Sequence, residues 1–424
     1  MFRLATSPSA AFLMLFPTIG YYTFATYANV FLNADSNIGG VLIRSISLAI
    51  LFIAWFLVPN NKRVRFGHLL APAVIFIFLY GSRLLENMWI EEMRIPPGND
   101  LVLLILFLSG VVPAIILASM ERAICDEDMI ALLSLFSVTF VIGMWLNREV
   151  LMQAAERRMM LDKVNPIALA YSASSFIIFY LLSFARSKRT MVEAVVIVPI
   201  LLIIVSLARS RGMMISTGVT LAIYIIVLRG TRRIWTLAAV SLAAVVIGAY
   251  ANPEYIERAA DALSRLDADN DMSTAGHLLA FQGAWNQFLA DPIFGRYAIE
   301  LVTAYYPHNI YLESLMSVGI IGTVPFLVHC GMSLRAAIGL IRERDASFTR
   351  VFIALLFIRD AVGAAGSGAV WSVSGFWIAS FLVIMMWYGR KRDLRLLHRR
   401  WRIQSPMSQD GRSPRPQKPI FGHY

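Results

Sequence analysis

Residues 101–119 read LVLLILFLSGVVPAIILAS, from Leu101 to Ser119. The run has no charged side chain and is long enough to cross the apolar core of a bilayer as one helix, which takes about 20 residues. Comparable runs recur on both sides of it: Ala10–Leu32, Ile38–Val58, Phe66–Leu85, Met129–Leu146, Pro166–Ala185, Met191–Leu207, Gly212–Leu228, Ile234–Tyr250, Asn309–Met332, Phe348–Gly366 and Val370–Tyr388. The last two are divided around Gly363 to Gly368. Composition agrees. The 424 residues are 58% hydrophobic and 15% charged, and mean hydropathy is +0.64. Soluble domains carry roughly 25% charge and about 45–50% apolar residues, so soluble globular and disordered classes are excluded. The sequence predicts an all-α fold. It is a polytopic transmembrane helical bundle of about 12 helices, with one large extracytoplasmic helical loop between helices 9 and 10.

The net charge of +11 suggests nucleic acid until it is placed along the chain. Gly389 to Tyr424 holds ten Lys/Arg and two Asp/Glu, so +8 lies in the tail and +3 in the rest. A basic tail beside an apolar segment reads as cytoplasmic retention and contact with anionic lipid, not nucleic-acid binding. Alternate connections are richer in basic residues: Lys62/Arg63/Arg65, Arg122, Arg186/Lys188/Arg189, Arg229/Arg232/Arg233 and Arg335/Arg342/Arg344. Those connections are expected inside, with both termini cytoplasmic. The chain then divides into membrane helices 1–9 over residues 1–250, an extracytoplasmic loop over 251–308, membrane helices 10–12 over 309–388, and a basic cytoplasmic tail over 389–424. Cys125 and Cys330 form no metal pattern and no disulfide framework. The apolar run at the N-terminus, with one basic residue before it, reads as a retained first helix. Within the loop, Glu254 to Leu266 reads as an amphipathic interfacial helix and Ala275 to Ala290 as a second helix. A loop of this length with its own helices is usually functional.

Four groups of residues carry possible chemistry. Arg209-Ser210-Arg211-Gly212 joins two apolar segments on the outer side. Guanidiniums at a membrane boundary are costly unless they meet water or an anion, and their planar fork suits phosphate oxygens. Interfacial snorkelling is the plainer alternative. Pro307-His308-Asn309-Ile310-Tyr311-Leu312-Glu313, followed by Gly319-Ile320-Ile321-Gly322, stands where the loop enters the tenth helix. His308 suits a general base or a phosphate donor, and Asn309 suits a helix N-cap at an end that attracts anions. The glycines would admit a neighbouring helix. A plain capped helix start with an exposed histidine is the alternative. His277, Trp285, Asp291-Pro292 and Phe294-Gly295-Arg296 form the third group, with a turn at Asp-Pro and Phe-Gly. Trp285, Tyr305 and Tyr306 suit either sugar stacking or packing at the membrane interface. The fourth group, Asp267, Asp269 and Asp271, reads as the solvated tip of an acidic loop, so no metal is expected. Arg44 and the Arg359-Asp360 pair lie inside apolar segments and mark a polar bundle interior. Adjacent helical positions point apart, so Arg359 and Asp360 need not pair with each other.

The order of these pieces resembles the bacterial O-antigen ligase and polysaccharide polymerase superfamily. A Ser-Arg-Gly opens a helix, and two helices later comes a large outward loop. The loop holds a helix with a tryptophan, then Asp-Pro-Ile-Phe-Gly, and ends in His-Asn-Ile-Tyr-Leu before Gly-Ile-Ile-Gly. The resemblance spans Leu207 to about Phe326. It implies glycosyl transfer from a polyprenyl-diphosphate-linked glycan to an acceptor sugar hydroxyl at the outer face of the inner membrane. The acceptor would be the lipid A core for a ligase, or another lipid-linked repeat unit for a polymerase. It implies no cofactor. Arg211 matches the family arginine of Ser-Arg-Gly, and His308 the histidine at the loop end. Arg209, Ser210, Asn309 and Tyr311 would contact substrate beside them. Where the family carries an arginine at the start of the loop helix, this chain has His277, which leaves Arg296 or Arg265 open for that role. A polysaccharide flippase or other transporter is the competing reading, drawing on the helix count and the intramembrane Arg359-Asp360. A non-catalytic scaffold is a third.

Overall fold

The computed structural model describes residues 7–31, 48–53, 55–56, 67–89, 100–148, 166–184, 188–208, 210–228, 272–343 and 346–389. Among them the structure is helical, with one isolated β-bridge between Glu300 and Tyr305. The helices are α1 (Ser7–Leu15), α2 (Tyr21–Phe31), α3 (Ala71–Trp89), α4 (Asp100–Ser119), α5 (Asp126–Leu146), α6 (Pro166–Ser183), α7 (Lys188–Leu207), α8 (Arg211–Leu228), α9 (Met272–Ala290), α10 (Ile310–Arg342), α11 (Phe348–Ser367) and α12 (Ser374–Ile384). Six helical stretches among the described residues are long and apolar enough to cross a membrane: His68–Trp89, Leu101–Ser119, Asp126–Leu146, Pro166–Ser183, Thr190–Leu207 and Ile310–Arg342. Gly212–Ile226 and Ser374–Gly389 are shorter apolar helices. The expected span Ile234–Tyr250, the loop helix Glu254–Leu266, Arg44 and the basic tail lie outside the described residues. The expected division between the last two helices is observed, with Ser367 ending α11 and Ser374 beginning α12.

α1 and α2 form one continuous helical rod, joined through a π-helical turn at Phe16–Gly20 that contains Pro17. Proline lacks the N–H the ladder needs, so the ladder widens there. Thr18 Oγ donates to the Leu15 carbonyl at 3.0 Å and holds the turn. α6 is buried along nearly its whole length and sits at the centre of the bundle, against α7, α8 and α11. α12 packs between α4 and α10, and α10 also packs on α3 and α11. The apolar core is densest around Trp377, whose ring lies 5.3 Å from Phe376 and 5.9 Å from Phe76. Phe78, Trp89 and Ile226 point outward and are strongly exposed, as side chains facing lipid are.

α10 is broken at Gly319, where φ is +59°. The break is filled by the turn after α9. Ile320 N–H donates to the Pro292 carbonyl at 2.9 Å and Ile321 N–H to the Ile293 carbonyl at 3.2 Å. In the other direction, Arg296 N–H donates to the Met316 carbonyl at 3.0 Å. Arg83 of α3 locks the junction, donating from Nε to the Ser317 carbonyl at 2.9 Å and from Nη2 to the carbonyls of Gly295 at 3.0 Å and Phe294 at 3.2 Å. This corrects the expectation that Gly319 and Gly322 admit a neighbouring helix. Gly319 admits loop backbone, since a Cβ there would stand 2.3 Å from the Ile293 carbonyl oxygen. Gly322 faces Val318 of its own helix. Gly295, at φ +64°, is the reciprocal partner, since a Cβ on it would stand 2.5 Å from the Ser317 carbonyl carbon. Gly319→Ala is therefore expected to destabilise the protein by about 1–3 kcal/mol from backbone strain alone. Gly331→Ala, where an added Cβ meets nothing within 4 Å, is expected to leave stability unchanged or raise it by up to about 1 kcal/mol. Thermal unfolding in detergent checks both, and equal melting temperatures for the two variants would contradict the strain.

Candidate active site at the loop end of the bundle

The segment entering α10 is built by short-range polar contacts. Glu300, fully buried, accepts hydrogen bonds from Thr303 N–H at 2.7 Å and Thr303 Oγ at 2.6 Å, which folds 301–304 back on itself. Gln287 of α9 donates from Nε2 to the Tyr297 carbonyl at 3.0 Å, and Asn87 of α3 accepts from Ala298 N–H at 3.1 Å. The chain is thus fastened to α9 and α3 before it reaches the motif. Asn309 is the N-cap of α10, as its sequence position predicts, accepting from Tyr311 N–H at 3.0 Å and Leu312 N–H at 3.1 Å.

His308 immediately precedes this cap, with φ of +55°. Non-glycine residues adopt that region rarely, and a histidine held there is over-determined by its surroundings. Its ring lies 4.2 Å from that of His277, 4.3 Å from Tyr306 and 5.6 Å from Tyr305. His308 Nδ1 is buried and finds no hydrogen-bond partner in the described structure. Burial, and secondarily the neighbouring His277, lower the His308 pKa to about 4. The imidazole is therefore neutral at physiological pH and able to accept a proton. Burial also raises the pKa of Tyr306, so its hydroxyl stays protonated.

Tyr306 passes this cluster on to the bundle. Its ring meets Trp371 edge-on at 5.4 Å, and both residues line a cavity of about 380 Å³. The start of α8 reaches the same cavity through Met213. Ser210 is buried, its carbonyl accepts from Met214 N–H at 3.0 Å, and Gly212 lies against Ser367 at the end of α11. Met213, two residues past Arg211, and Tyr306, two residues before His308, thus line one space, while Ser210, Gly212, His308 and Asn309 are not among its lining residues. A helix N-terminus there presents free N–H groups and a partial positive charge, which favour an anion. Arg211 is the first residue of α8. Arg209, Arg265 and the Asp267–Asp271 cluster lie outside the described residues, as does the Arg211 side chain.

Two further predicted site residues make contacts of their own. Tyr311 donates its hydroxyl to the Ala361 carbonyl at 3.0 Å, tying α10 to α11. Arg296 is exposed, with its guanidinium 5.1 Å from the Tyr297 ring, and is not among the cavity-lining residues. Arg359 and Asp360, for which pairing was not required, do pair. Nε and Nη2 reach Asp360 Oδ1 at 2.8 and 2.7 Å, because the long arginine stem folds back along α11. The guanidinium stacks 3.9 Å from the Tyr171 ring centroid, and Tyr171 donates its hydroxyl to Asp360 Oδ2 at 3.1 Å. Tyr171 and Asp360 both line the cavity.

Several contributors escape a reading of the sequence. Tyr171 looks like one more apolar-face residue of α6. Trp371 lies in the short piece between two apolar runs. Glu313 belongs to the quoted motif but shows no role there. In the structure it is fully buried, accepts from the Tyr80 hydroxyl, and accepts from Val370 N–H at 2.9 Å, which fixes the connection carrying Trp371. Titration of histidine resonances should show His308 inflecting near pH 4; an inflection at pH 6 or above would contradict the buried, neutral ring.

No curated protein matches the chain. Residues 194–327 match the family described as O-antigen ligase. The matched stretch runs from α7 through the Ser-Arg-Gly start of α8, the loop helix α9, the His-Asn cap and the Gly319 break. That match makes residues 194–327, the stretch that carries both motif segments, similar to the O-antigen ligase family.

Proposed function

We propose that this protein transfers a glycan from a polyprenyl-diphosphate-linked donor to the hydroxyl of an acceptor glycan or lipid A-core saccharide, at the outer face of the inner membrane. Ligase and polymerase share this donor chemistry. The single observation that supports the reading is the cavity bordered both by the start of α8 and by the Tyr306 wall against His308. In the reaction the bond between the anomeric carbon and the diphosphate oxygen breaks. A bond from the acceptor oxygen to that carbon forms, and the acceptor proton leaves. The departing diphosphate gains negative charge, which in this reading the N-terminus of α8 and Arg211 stabilise. The acceptor proton needs a neutral base, and the unprotonated His308 ring supplies one through Nε2, the nitrogen that is not buried. Its low pKa makes it a weak base in the empty site, and an arriving diphosphate would raise it toward the working range. Asn309 caps the helix that carries this histidine and so holds its backbone.

The basic connections orient the loop end outward and both termini inward in this reading. The transporter alternative drew on Arg359-Asp360. That pair is engaged with itself and with Tyr171.

Arg211→Ala should lower glycan transfer about 100–1,000-fold, the usual effect of losing one donor to a developing oxyanion. His308→Ala should lower it about 100–10,000-fold. Both are measured in vesicles holding inserted, folded protein together with lipid-linked glycan and acceptor glycolipid extracted from a host strain lacking this protein. Full activity in both variants would end the assignment.

A further inference from the structure

The cavity has a lining that the proposed roles of Arg211 and His308 do not use. Tyr21, Tyr22, Tyr171, Tyr306 and Trp371 all face it, with Asp360 among them. Tyr21 and Tyr22 come from the start of α2, just past the π-helical turn, so an element remote in sequence from the matched segment contributes to the wall. Their rings lie 5.1 Å apart edge-on, and Tyr22 meets Tyr171 at 6.2 Å. Trp371 Nε1 is buried and donates to nothing in the described structure.

The chemistry of the lining selects among ligands. A polyprenyl or acyl chain offers no acceptor to an indole N–H, and burying that group unmet is costly. At the Asp360–Tyr171 end a diphosphate finds no cation, because Arg359 is already matched by Asp360, so the diphosphate belongs at the α8 end and the aromatic wall is left for another part of the substrate. A pyranose ring meets all of it. It has apolar C–H faces for the aromatic rings and a rim of hydroxyls that both donate and accept. A cavity of about 380 Å³ is within the usual range for small-molecule sites, roughly 300–1,000 Å³. Aromatic residues with a polar tip serve a ligand that is apolar on one face and wet at its edge.

We infer that this cavity is a saccharide subsite, in which Tyr22 packs on the face of one pyranose ring, Trp371 and Tyr306 meet that ring at right angles to each other, and Trp371 Nε1 donates to one of its hydroxyls. The inference rests on the transfer reaction proposed above and names what the wall beside His308 holds. The ring belongs to the donor glycan or to the acceptor, and kinetics separate the two.

The test uses the full chain in the vesicle assay, varying donor and acceptor glycolipid separately. Trp371→Ala and Tyr22→Leu should each raise KM for one of the two substrates about 5–10-fold, the range expected for losing an aromatic stacking partner, with kcat changed less. A rise for the acceptor places the acceptor sugar in the cavity; a rise for the donor places the donor sugar there. Trp371→Phe, which keeps a ring, should recover part of the loss. In detergent, tryptophan fluorescence of the wild type should respond to the extracted substrate whose KM moved, and Trp371→Phe should lose that response. This holds even if Trp371→Ala fails to fold. If both KM values stay within twofold in Trp371→Ala and Tyr22→Leu while His308→Ala is inactive, the saccharide subsite is overturned and the transfer reaction stands. If His308→Ala is active as well, the transfer reaction itself falls.

Discussion

At Gly319 the backbone of α10 is open, and the turn after α9 closes it. Amide groups at membrane depth have no water to turn to, so a break in a spanning helix persists only where protein supplies partners. Here the Pro292 and Ile293 carbonyls take the free amides, the Arg296 amide takes the Met316 carbonyl, and Arg83 binds the carbonyls that remain. The loop is thereby fixed in height and direction against the bundle. His308 and Tyr306 follow the loop into α10, so the position of the ring cluster derives from this junction.

The same constraint shapes the interior. A lone guanidinium among apolar helices would be costly, and Arg359 is surrounded by Asp360, the Tyr171 ring, the Tyr171 carbonyl and Ser175 Oγ. Glu313 is likewise held between α3 and the connection to α12. These polar groups are not scattered through the core. They gather near the cavity, where α6, α8, α11 and α12 all present an end.

Much of this was legible from sequence, for physical reasons that differ by residue. Runs of apolar residues about the thickness of a bilayer announce helices, and α4, α5 and α7 fall within a few residues of the runs that predict them. Asn309 was legible because a cap is a local device, and the Asp291–Gly295 turn because aspartate, proline and glycine act over adjacent residues. The break at Gly319 was not. A pair of glycines three apart reads equally as a helix-packing face, and only the loop's arrival distinguishes the two. The Arg359–Asp360 pair was left open because spacing describes where Cβ points, not how far a long side chain folds back. Tyr21, Tyr22, Tyr171 and Trp371 come from three distant parts of the chain, and nothing local marks them as neighbours. The Ser-Arg-Gly and His-Asn segments were recognisable as candidates, while the meeting of their neighbours Met213 and Tyr306 on one cavity required the fold.

The reciprocal contact between Gly295 and Gly319 carries an evolutionary implication. Each glycine leaves room for the backbone that the other one bends, so a side chain at either position pushes the opposite segment away. Once the segment has been displaced, nothing maintains the demand at its counterpart. Selection therefore acts on the two as one character, and descendants that abandon this seat for the turn are expected to lose both constraints together, free to drift at each site and to re-aim the loop toward other substrates.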